Sequence, residues 1–357
     1  MTAQALAAAT DADPGGTVAE HPYAPSWLDR ALHAIEALPG PAWLAYLVFG
    51  AVALIWANSI GWIAGMYPVG TLDAQQSSFA FFLVYPFALL HILDRAAGKA
   101  LRRFAPAMDR APADVSRIEY ELTTIPARRA LVLGLVGAGV DLLSWIGDPV
   151  ASDVVGYPLP ALIVRAAGEF PLVATWFVLV YQVFRQLRLV SRLHAQASRI
   201  DLFHAAPLHA FSHLTVRAGI GVLGAAVYTV FTTKPDLLFT SVALTFLGAI
   251  VVVGLAAFVV PLMGMHARIA QEKDRLLDEA NEGLETTLRR LNDSVAEDDL
   301  SRSDALNKTL SSLLQQRDVL SKFPTWPWQA GTAWAFASAV GLPIGLWLLT
   351  RLLERVI

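Results

Sequence analysis

The feature that most constrains this chain is a series of apolar segments, each close to twenty residues long. At about 1.5 Å of rise per residue, an α-helix of that length spans the roughly 30 Å hydrocarbon core of a bilayer. Closed β-barrels also satisfy their backbone hydrogen bonds in lipid, but their strands alternate apolar and polar residues. Because these segments are continuously apolar, the sequence predicts an all-α, polytopic bundle of about seven transmembrane helices.

Composition agrees with this class and excludes several others. Of the residues, 55% are hydrophobic and 16% are charged, whereas soluble domains carry about 25% charged residues. The net charge of −3 is not the strongly basic charge that is typical of nucleic-acid-binding domains. The chain has no cysteine, which excludes disulfides, Cys-ligated metals and a thiol nucleophile. No phosphate-binding loop or nucleophile elbow occurs, which favours a protein other than an enzyme without deciding the question, and the sequence leaves any cofactor unknown.

The chain divides into five predicted regions. Residues 1–22 are rich in Ala, Thr, Asp, Gly and Pro and are expected to be disordered. An amphipathic helix at 25–39 follows, with a capping box formed by Ser26 and Asp29; it either lies in the membrane interface or packs on the protein. Then come a six-span bundle at 42–265, a helical hairpin at 266–323, and a last span with the C-terminus at 327–357. The seven spans are predicted at 42–66, 78–94, 129–147, 160–185, 208–232, 237–265 and 327–350.

Basic residues alternate between the loops. The connections 95–128 and 186–207 hold seven and three Lys or Arg residues, while 67–77 and 148–159 hold none. Because Lys and Arg collect in cytoplasmic loops, we expect a multi-pass cell membrane protein, in a bacterial cell the inner membrane, with its N-terminus and hairpin cytoplasmic. Seven spans place the C-terminus outside, whereas Arg351 and Arg355 at that end favour an even number.

The hairpin is the most informative soluble part. Leucines at steps of three, four and seven predict two antiparallel helices with coiled-coil-like seams. The first helix is expected to continue from the sixth span, from about 237 to 291. The hairpin either packs only on itself or serves as a surface for oligomerisation or a protein partner. The candidate partner-binding residues are Leu284, Leu288, Leu291, Leu310 and Leu313.

Four polar residues fall at one predicted depth in the outer half of the bundle: Asn58, Asp141, Arg165 and Glu169. Ionisable groups in hydrocarbon are costly, so they indicate either a buried ion network that fixes packing or a binding site for an ion or small solute. Gly168 and Pro171 flank Glu169 and predict a broken helix of the kind that surrounds transporter sites.

Two further sequence patterns involve histidines and glycines. His209 and His213 are four residues apart and would share a helical face, which is a weak metal-ligating pattern. Gly219, Gly221 and Gly224 match a dinucleotide-binding spacing, but they lie in an apolar span with no preceding strand. Small residues in a span favour close helix packing instead, as do Ala333, Ala337, Gly341 and Gly345 in the last span.

Three functions remain open from the sequence. The first, which the sequence favours, is a channel or transporter-like protein that moves an ion or small solute past the acidic and Arg cluster. The second is a signalling or assembly protein whose hairpin oligomerises or docks a partner. The third is a membrane enzyme at the histidines. Membrane lipid is the expected surrounding partner in each case.

Overall fold

The computed structural model describes residues 22–108, 110–150, 152–195, 210–232, 241–297 and 300–326, with some positions between 331 and 349. Within these residues the fold is helical and contains no β-strand. An isolated β-bridge joins Pro25 and Pro126. The prediction of an all-α chain is therefore confirmed for the described part.

The described helices follow in chain order, with a short 3-10 turn at Ala105–Ala107 after the third. They are α1 (Trp27–Ala37), α2 (Ala42–Ala64), α3 (Ala74–Phe104), α4 (Pro112–Thr123), α5 (Ala127–Gly147), α6 (Leu159–Ala195), α7 (Ser212–Thr232), α8 (Ser241–Ala296) and α9 (Leu300–Ser321).

Six of these helices are long and apolar enough to cross a membrane: α2, α3, α5, α6, α7 and the part of α8 from Leu247 onward. They match the first six predicted spans, and they support a multi-pass membrane protein. The predicted seventh span at 327–350 falls mostly outside the described residues, as does the N-terminal segment 1–21.

The outward faces of the bundle are apolar. On α5, Leu135 and Leu143 are 65% and 68% exposed, and on α2, Val52 and Ile55 are both 59% exposed. A soluble protein rarely exposes such continuous apolar surface. These faces suit contact with lipid chains, in agreement with the class predicted from composition.

Helices α3 and α6 form the centre of the bundle. Helix α2 packs on α3, α5 packs on α6, and α7 and α8 pack together against the remaining side. The central core is densest toward the end of the bundle that holds the connection after α3 and the arginines in the last turns of α6, which we call the basic end. Its fully buried side chains there include Leu90, Leu93, Leu101, Leu179 and Val183.

Helix α6 is continuous, so the predicted break around Glu169 is wrong. The helix runs from Leu159 to Ala195 and includes both Gly168 and Pro171. A proline within a helix removes one backbone hydrogen bond without necessarily ending the helix. One turn after Pro171, the hydroxyl of Thr175 donates to the Pro171 carbonyl at 2.7 Å, as threonines inside helices commonly do.

The glycines of α7 allow close packing, as predicted. A Cβ added at Gly221 would lie 2.3 Å from Leu89 of α3, and one at Gly219 would lie 2.8 Å from Phe336. These positions hold glycine because neighbouring side chains occupy the space where a methyl group would sit.

Helix α1 packs on the bundle. The predicted capping box is present, with Asp29 accepting from the backbone N–H and the hydroxyl of Ser26. Leu28 and Leu32 are buried against the core. The same Asp29 oxygen accepts from the backbone N–H of Ile125 at 3.0 Å, which ties α1 to the link between α4 and α5. The helix therefore packs on the bundle, while its predicted place in the membrane interface stays a prediction.

Candidate functional sites

Arg165 and Glu169 form a buried ion pair one turn apart on α6. The Arg165 Nε lies 2.5 Å from Glu169 Oε2, and the two side chains are 7% and 12% exposed. A second contact joins Arg165 Nη2 to Glu169 Oε1 at 3.4 Å. The i, i+4 spacing on a helix brings the two side chains to one face, so the predicted pairing of these residues is present.

The rest of the Arg165 guanidinium holds the loop between α5 and α6. Its Nη1 donates to the carbonyl of Asp153 at 2.6 Å, and its Nη2 donates to that of Ser152 at 2.8 Å. The aromatic rings of Trp145 and Tyr157 lie within 6 Å of the guanidinium carbon. We call this arrangement the Arg165 latch, because one side chain joins α6 to the loop that precedes it.

Asp141 lies beside the latch but does not bond to it. Its Oδ2 is buried and has no hydrogen-bond partner among the described residues, and the same holds for the indole N–H of Trp145, one turn later on α5. Burying an unpaired polar group is costly. Asp141 is therefore an ionisable group in this region whose oxygen the described side chains leave without a hydrogen bond.

Asn58 belongs to a separate network at the same end. Its amide group donates to the hydroxyl of Ser77 at 3.1 Å, and its oxygen accepts from the backbone N–H of Asp73 at 2.8 Å. Tyr67 also donates to Asn58. These bonds join α2 to the start of α3, so Asn58 fixes this connection and makes no contact with the Arg165–Glu169 pair.

The predicted four-residue cluster is thus only partly assembled. Arg165 and Glu169 are in direct contact, and Asp141 is an electrostatic neighbour of both. Glu169 also lines a small apolar cavity of about 210 Å³ with Phe82 and Trp176.

An aromatic layer lies between this cluster and the basic end. Phe81 stacks on Tyr228 with ring centroids 3.8 Å apart, and Tyr85 stacks on Trp176 at 6.2 Å. Two hydrogen bonds fix the layer: the Tyr85 hydroxyl donates to the carbonyl of Gly221, and the Trp176 indole donates to that of Phe82. The layer joins α3, α6 and α7 and fills the middle of the bundle.

A second polar site lies at the basic end, in a cavity of about 510 Å³ that reaches from α1 to α3 and α4. His91 Nε2 is 3.2 Å from Glu36 Oε1, and its Nδ1 is 3.0 Å from the Tyr46 hydroxyl. Asp94, one turn further along α3, accepts from the Gln186 side chain at 2.8 Å. In the sequence, His91 and Asp94 end the second predicted span on the expected cytoplasmic side. Their partners Glu36, Tyr46 and Gln186 lie on other helices and were not predicted. A signal for them was the pair Gln182 and Gln186, two amides one turn apart in an apolar helix.

The metal prediction finds no support in the described residues. His209 lies outside them, and His213 is exposed on the first turn of α7. No group of three or more His, Asp or Glu side chains there is arranged to hold a metal ion.

Helix α9 packs antiparallel on the C-terminal part of α8. A Cβ at Gly283 would lie 3.6 Å from Leu313, while Lys273 contacts the carbonyl of Ser321. The seam of α8 is formed by Ala280, Leu284, Thr287 and Ser294, all 9% exposed or less.

The five leucines predicted to bind a partner differ in how far the contact between α8 and α9 buries them. Leu284 is buried, and Leu291, Leu310 and Leu313 are half-buried. Leu288 is 45% exposed, because Thr287 takes the seam position beside it. Val295 and Leu314 are also exposed, at 63% and 49%. Two helices alone therefore leave much of the apolar surface of the hairpin uncovered.

The base of the hairpin is fixed where α9 ends. The ammonium group of Lys273 donates to the carbonyls of Ser321 and Phe323 at 2.7 and 3.0 Å. His266 donates to the carbonyl of Thr325 at 3.1 Å and stacks on Trp326 with centroids 4.2 Å apart. Cations suit the free carbonyls at a helix C-terminus, so these residues clamp the returning chain to α8.

Comparisons of the chain with protein-family models, with curated proteins and with solved structures give no match. The class that the fold and its apolar surface define is a multi-pass helical membrane protein.

Proposed function

We propose that this chain is a membrane-embedded assembly protein whose helical hairpin pairs with the hairpin of a second copy. The observation that carries the proposal is α8, a single helix of 56 residues that contains both a candidate span and one arm of the hairpin. A change in pairing at the hairpin would act directly on a helix of the bundle, without a flexible joint between them.

The exposed apolar residues of the hairpin favour a helical partner. Leu288 and Val295 are seven residues apart, so they lie on one flank of the α8 seam. An amphipathic helix normally buries a stripe wider than one neighbour covers. Packing two hairpins into a four-helix bundle would cover this flank and the half-buried leucines together.

Charge favours a second copy as that partner. Residues 266–297 contain eight acidic and five basic side chains, and residues 300–321 contain two acidic and three basic ones. A two-fold arrangement places the acidic arm of one copy beside the basic arm of the other. At Gly341 and Gly345, from the predicted small-residue ridge, no atom of the described residues lies within 4 Å of an added Cβ, so these two positions suit the same contact.

Cysteine cross-linking tests the pairing, because the natural chain has no cysteine. Leu288→Cys and Val295→Cys should each give a disulfide-linked dimer in membranes. Glu282→Cys, which is exposed on the opposite side of α8, is the matched control and should remain monomeric. Equal cross-linking at all three positions, or none at any, would contradict the proposal.

Transport of a proton or small cation is the second candidate. The unpaired oxygen of Asp141 favours it, since a buried carboxylate beside an ion pair is a place where a cation or proton can be held. Asp94 offers a carboxylate on the other side of the aromatic layer, in the cavity at the basic end. In this interpretation the aromatic layer is a closed gate.

Reconstituted vesicles with an internal pH indicator test this candidate. Wild-type protein should carry protons down an imposed gradient, and Asp141→Asn should lower the rate at least tenfold. Asp114→Asn on α4, away from both polar sites, should leave the rate unchanged. Absence of flux with correctly inserted wild-type protein would exclude the candidate for protons.

The expected orientation belongs to the same proposal. The basic connection after α3 and the arginines in the last turns of α6 lie at one end of the bundle, the end from which the hairpin arm of α8 extends. The positive-inside rule assigns that end to the cytoplasm, with the Arg165 latch near the opposite surface.

A further inference from the structure

A large cavity at the basic end is lined by arginines. It has a volume of about 940 Å³ and is bounded by residues 22–24, the first turn of α5 and the C-terminal half of α6. Five guanidinium groups line it, with Glu121 as the acidic residue among them; these are Arg128, Arg129, Arg185, Arg188 and Arg192.

Two of the five arginines are held in place by neutral groups. Arg185 donates to the carbonyl of Thr124 at 2.8 Å and to the hydroxyl of Tyr23. Arg129 donates to the hydroxyl of Tyr181 at 2.8 Å. None of these acceptors is an acid, so the hydrogen bonds position the two guanidinium groups without neutralising them.

The other three arginines have no partner in the described part of the chain. Arg128, Arg188 and Arg192 are exposed, and none forms an ion pair or side-chain hydrogen bond there. Glu121 is already paired with Arg117 at 3.4 Å. The cavity therefore carries several uncompensated positive charges at close quarters, an arrangement that an anion would relieve.

The backbone adds to this attraction. Helix α5 begins at Ala127, so the positive end of its dipole faces the same cavity that Arg128 and Arg129 line. Burial raises the pKa of Tyr23 to about 12, so its hydroxyl stays neutral and does not compete as an anion.

The surroundings favour an amphiphilic ligand over a soluble one. Phe184 and Leu189 form part of the cavity wall. Directly beyond the cavity along α5, Leu131, Val132 and Leu135 are 57%, 58% and 65% exposed on a face that suits lipid chains. A phosphate at the arginines and an acyl chain along this face would occupy both surfaces at once.

We propose that this cavity binds the phosphate of an anionic phospholipid headgroup, with the acyl chains lying along α5. Planar guanidinium groups bind phosphate oxygens in pairs, and basic pockets between membrane helices on the cytoplasmic side are suited to such headgroups. The site is independent of the hairpin and of any transport activity.

Lipid-dependent thermal unfolding in neutral detergent tests the site. Phosphatidylglycerol should stabilise the wild-type protein in a saturable way, while phosphatidylcholine should not. The triple variant Arg128→Gln, Arg188→Gln, Arg192→Gln should lose at least tenfold in apparent affinity for phosphatidylglycerol. A control triple variant, Arg30→Gln, Lys99→Gln, Arg103→Gln, removes as much charge from the basic end outside the cavity and should stay within about threefold of wild type.

The test also separates the two sources of phosphate. Glycerol 3-phosphate and inorganic phosphate should give less than a tenth of the stabilisation at equal concentration. Equal stabilisation by these soluble anions would overturn the lipid assignment. Retained affinity in the cavity variant, an equal loss in the control variant, or equal binding of phosphatidylcholine would overturn the site itself. Unfolding without lipid and elution volume confirm that both variants fold.

Discussion

At the scale of single residues, the indole ring of Trp56 packs directly against the backbone of Gly168 and fills the space that a side chain there would need. The indole N–H of Trp56 on α2 donates to the carbonyl of Val164 on α6 at 2.8 Å. A Cβ at Gly168 would lie 2.0 Å from the ring. Glycine at this position therefore permits the contact between the two helices.

Gly168→Ala should destabilise the protein because the methyl group must displace the indole and break its hydrogen bond, a loss of about 1–3 kcal/mol. Thermal unfolding and tryptophan emission measure the effect. Gly139→Ala, inside α5 where nothing lies within 4 Å of an added Cβ, is the control and should be neutral or stabilising by up to about 1 kcal/mol. Equal effects would show that the contact has no importance.

Removing the acid of the Arg165 latch should be costly. Glu169→Gln leaves a buried guanidinium without its counter-charge, and breaking such a pair from one side costs about 3–5 kcal/mol. We expect a clear fall in the unfolding temperature in detergent. Glu285→Gln removes the acid of an exposed pair of the same spacing on α8, where a change below about 1 kcal/mol is expected. If Glu169→Gln also lowered the stability by less than about 1 kcal/mol, the Arg165–Glu169 pair would have to be accessible to water.

Asp29 gives the protein a pH dependence of defined sign. Burial raises the pKa of its carboxyl despite three hydrogen bonds that favour the charged form. The folded state therefore keeps this proton at pH values where the unfolded chain has lost it, and stability falls as the pH rises from about 4 through the raised pKa.

Asp29→Asn should remove this dependence. All three hydrogen bonds end on Oδ2, so the amide oxygen of asparagine can accept each of them. We expect the variant to equal or exceed the wild-type unfolding temperature at pH 7–8 and to have a flatter profile between pH 4 and 7. Asp114→Asn should keep the wild-type slope; an equally flat slope there would assign the dependence to another group.

At the scale of helices, the clamp at the hairpin base is open to a direct test. Lys273→Met keeps the aliphatic stem but removes the donor to the carbonyls of Ser321 and Phe323. Hydrogen exchange should become faster in the last turn of α9 and in the chain that follows. Lys308→Met, which breaks an exposed pair with Asp304, should leave exchange in that region unchanged. Unchanged exchange in Lys273→Met would mean that packing alone holds the base.

The membrane-spanning helices could be predicted from the sequence because a helix that crosses a bilayer needs about twenty apolar residues in a row. The apolar lengths located α2, α3, α5, α6, α7 and the start of α8, and the alternation of basic residues between the loops predicts the orientation. The sequence did not predict the extension of α3 to Phe104 or the separate helix α4, since basic residues in the first and a proline at the start of the second obscure the apolar pattern.

The candidate sites were harder to predict, for physical reasons that differ between them. The contact between Arg165 and Glu169 could be predicted because both residues lie on one helix, four positions apart. For residues on different helices, the sequence predicts the depth in the membrane but not the direction in which each helix turns its side chains. Asn58 therefore has the predicted depth but contacts Ser77 instead of the ion pair. In the hairpin, Leu288 and Thr287 are adjacent, and a shift of one residue decides which of them enters the seam. The arginine cavity depends on contacts between residues far apart in sequence.

At the scale of the whole molecule, the orientation can be tested with the same cysteine-free background. Val155→Cys lies in the loop beside the Arg165 latch and is exposed. It should react with a membrane-impermeant maleimide in intact cells. Asn307→Cys, exposed on α9, should react only after the membrane is opened. The reverse pattern would place the hairpin outside the cell and contradict the positive-inside assignment.

The unbroken length of α8 also separates two electrostatic environments. From His266 to Ala296 the helix adds 30 residues beyond the clamp, a distance of about 45 Å at 1.5 Å per residue. Surface charge on a membrane is screened within about 10 Å at physiological ionic strength. The far end of the hairpin would then be insensitive to the charge of the lipids, while the arginine cavity at the bundle would respond to it. Contacts at the two places should therefore differ in their dependence on lipid composition within one molecule.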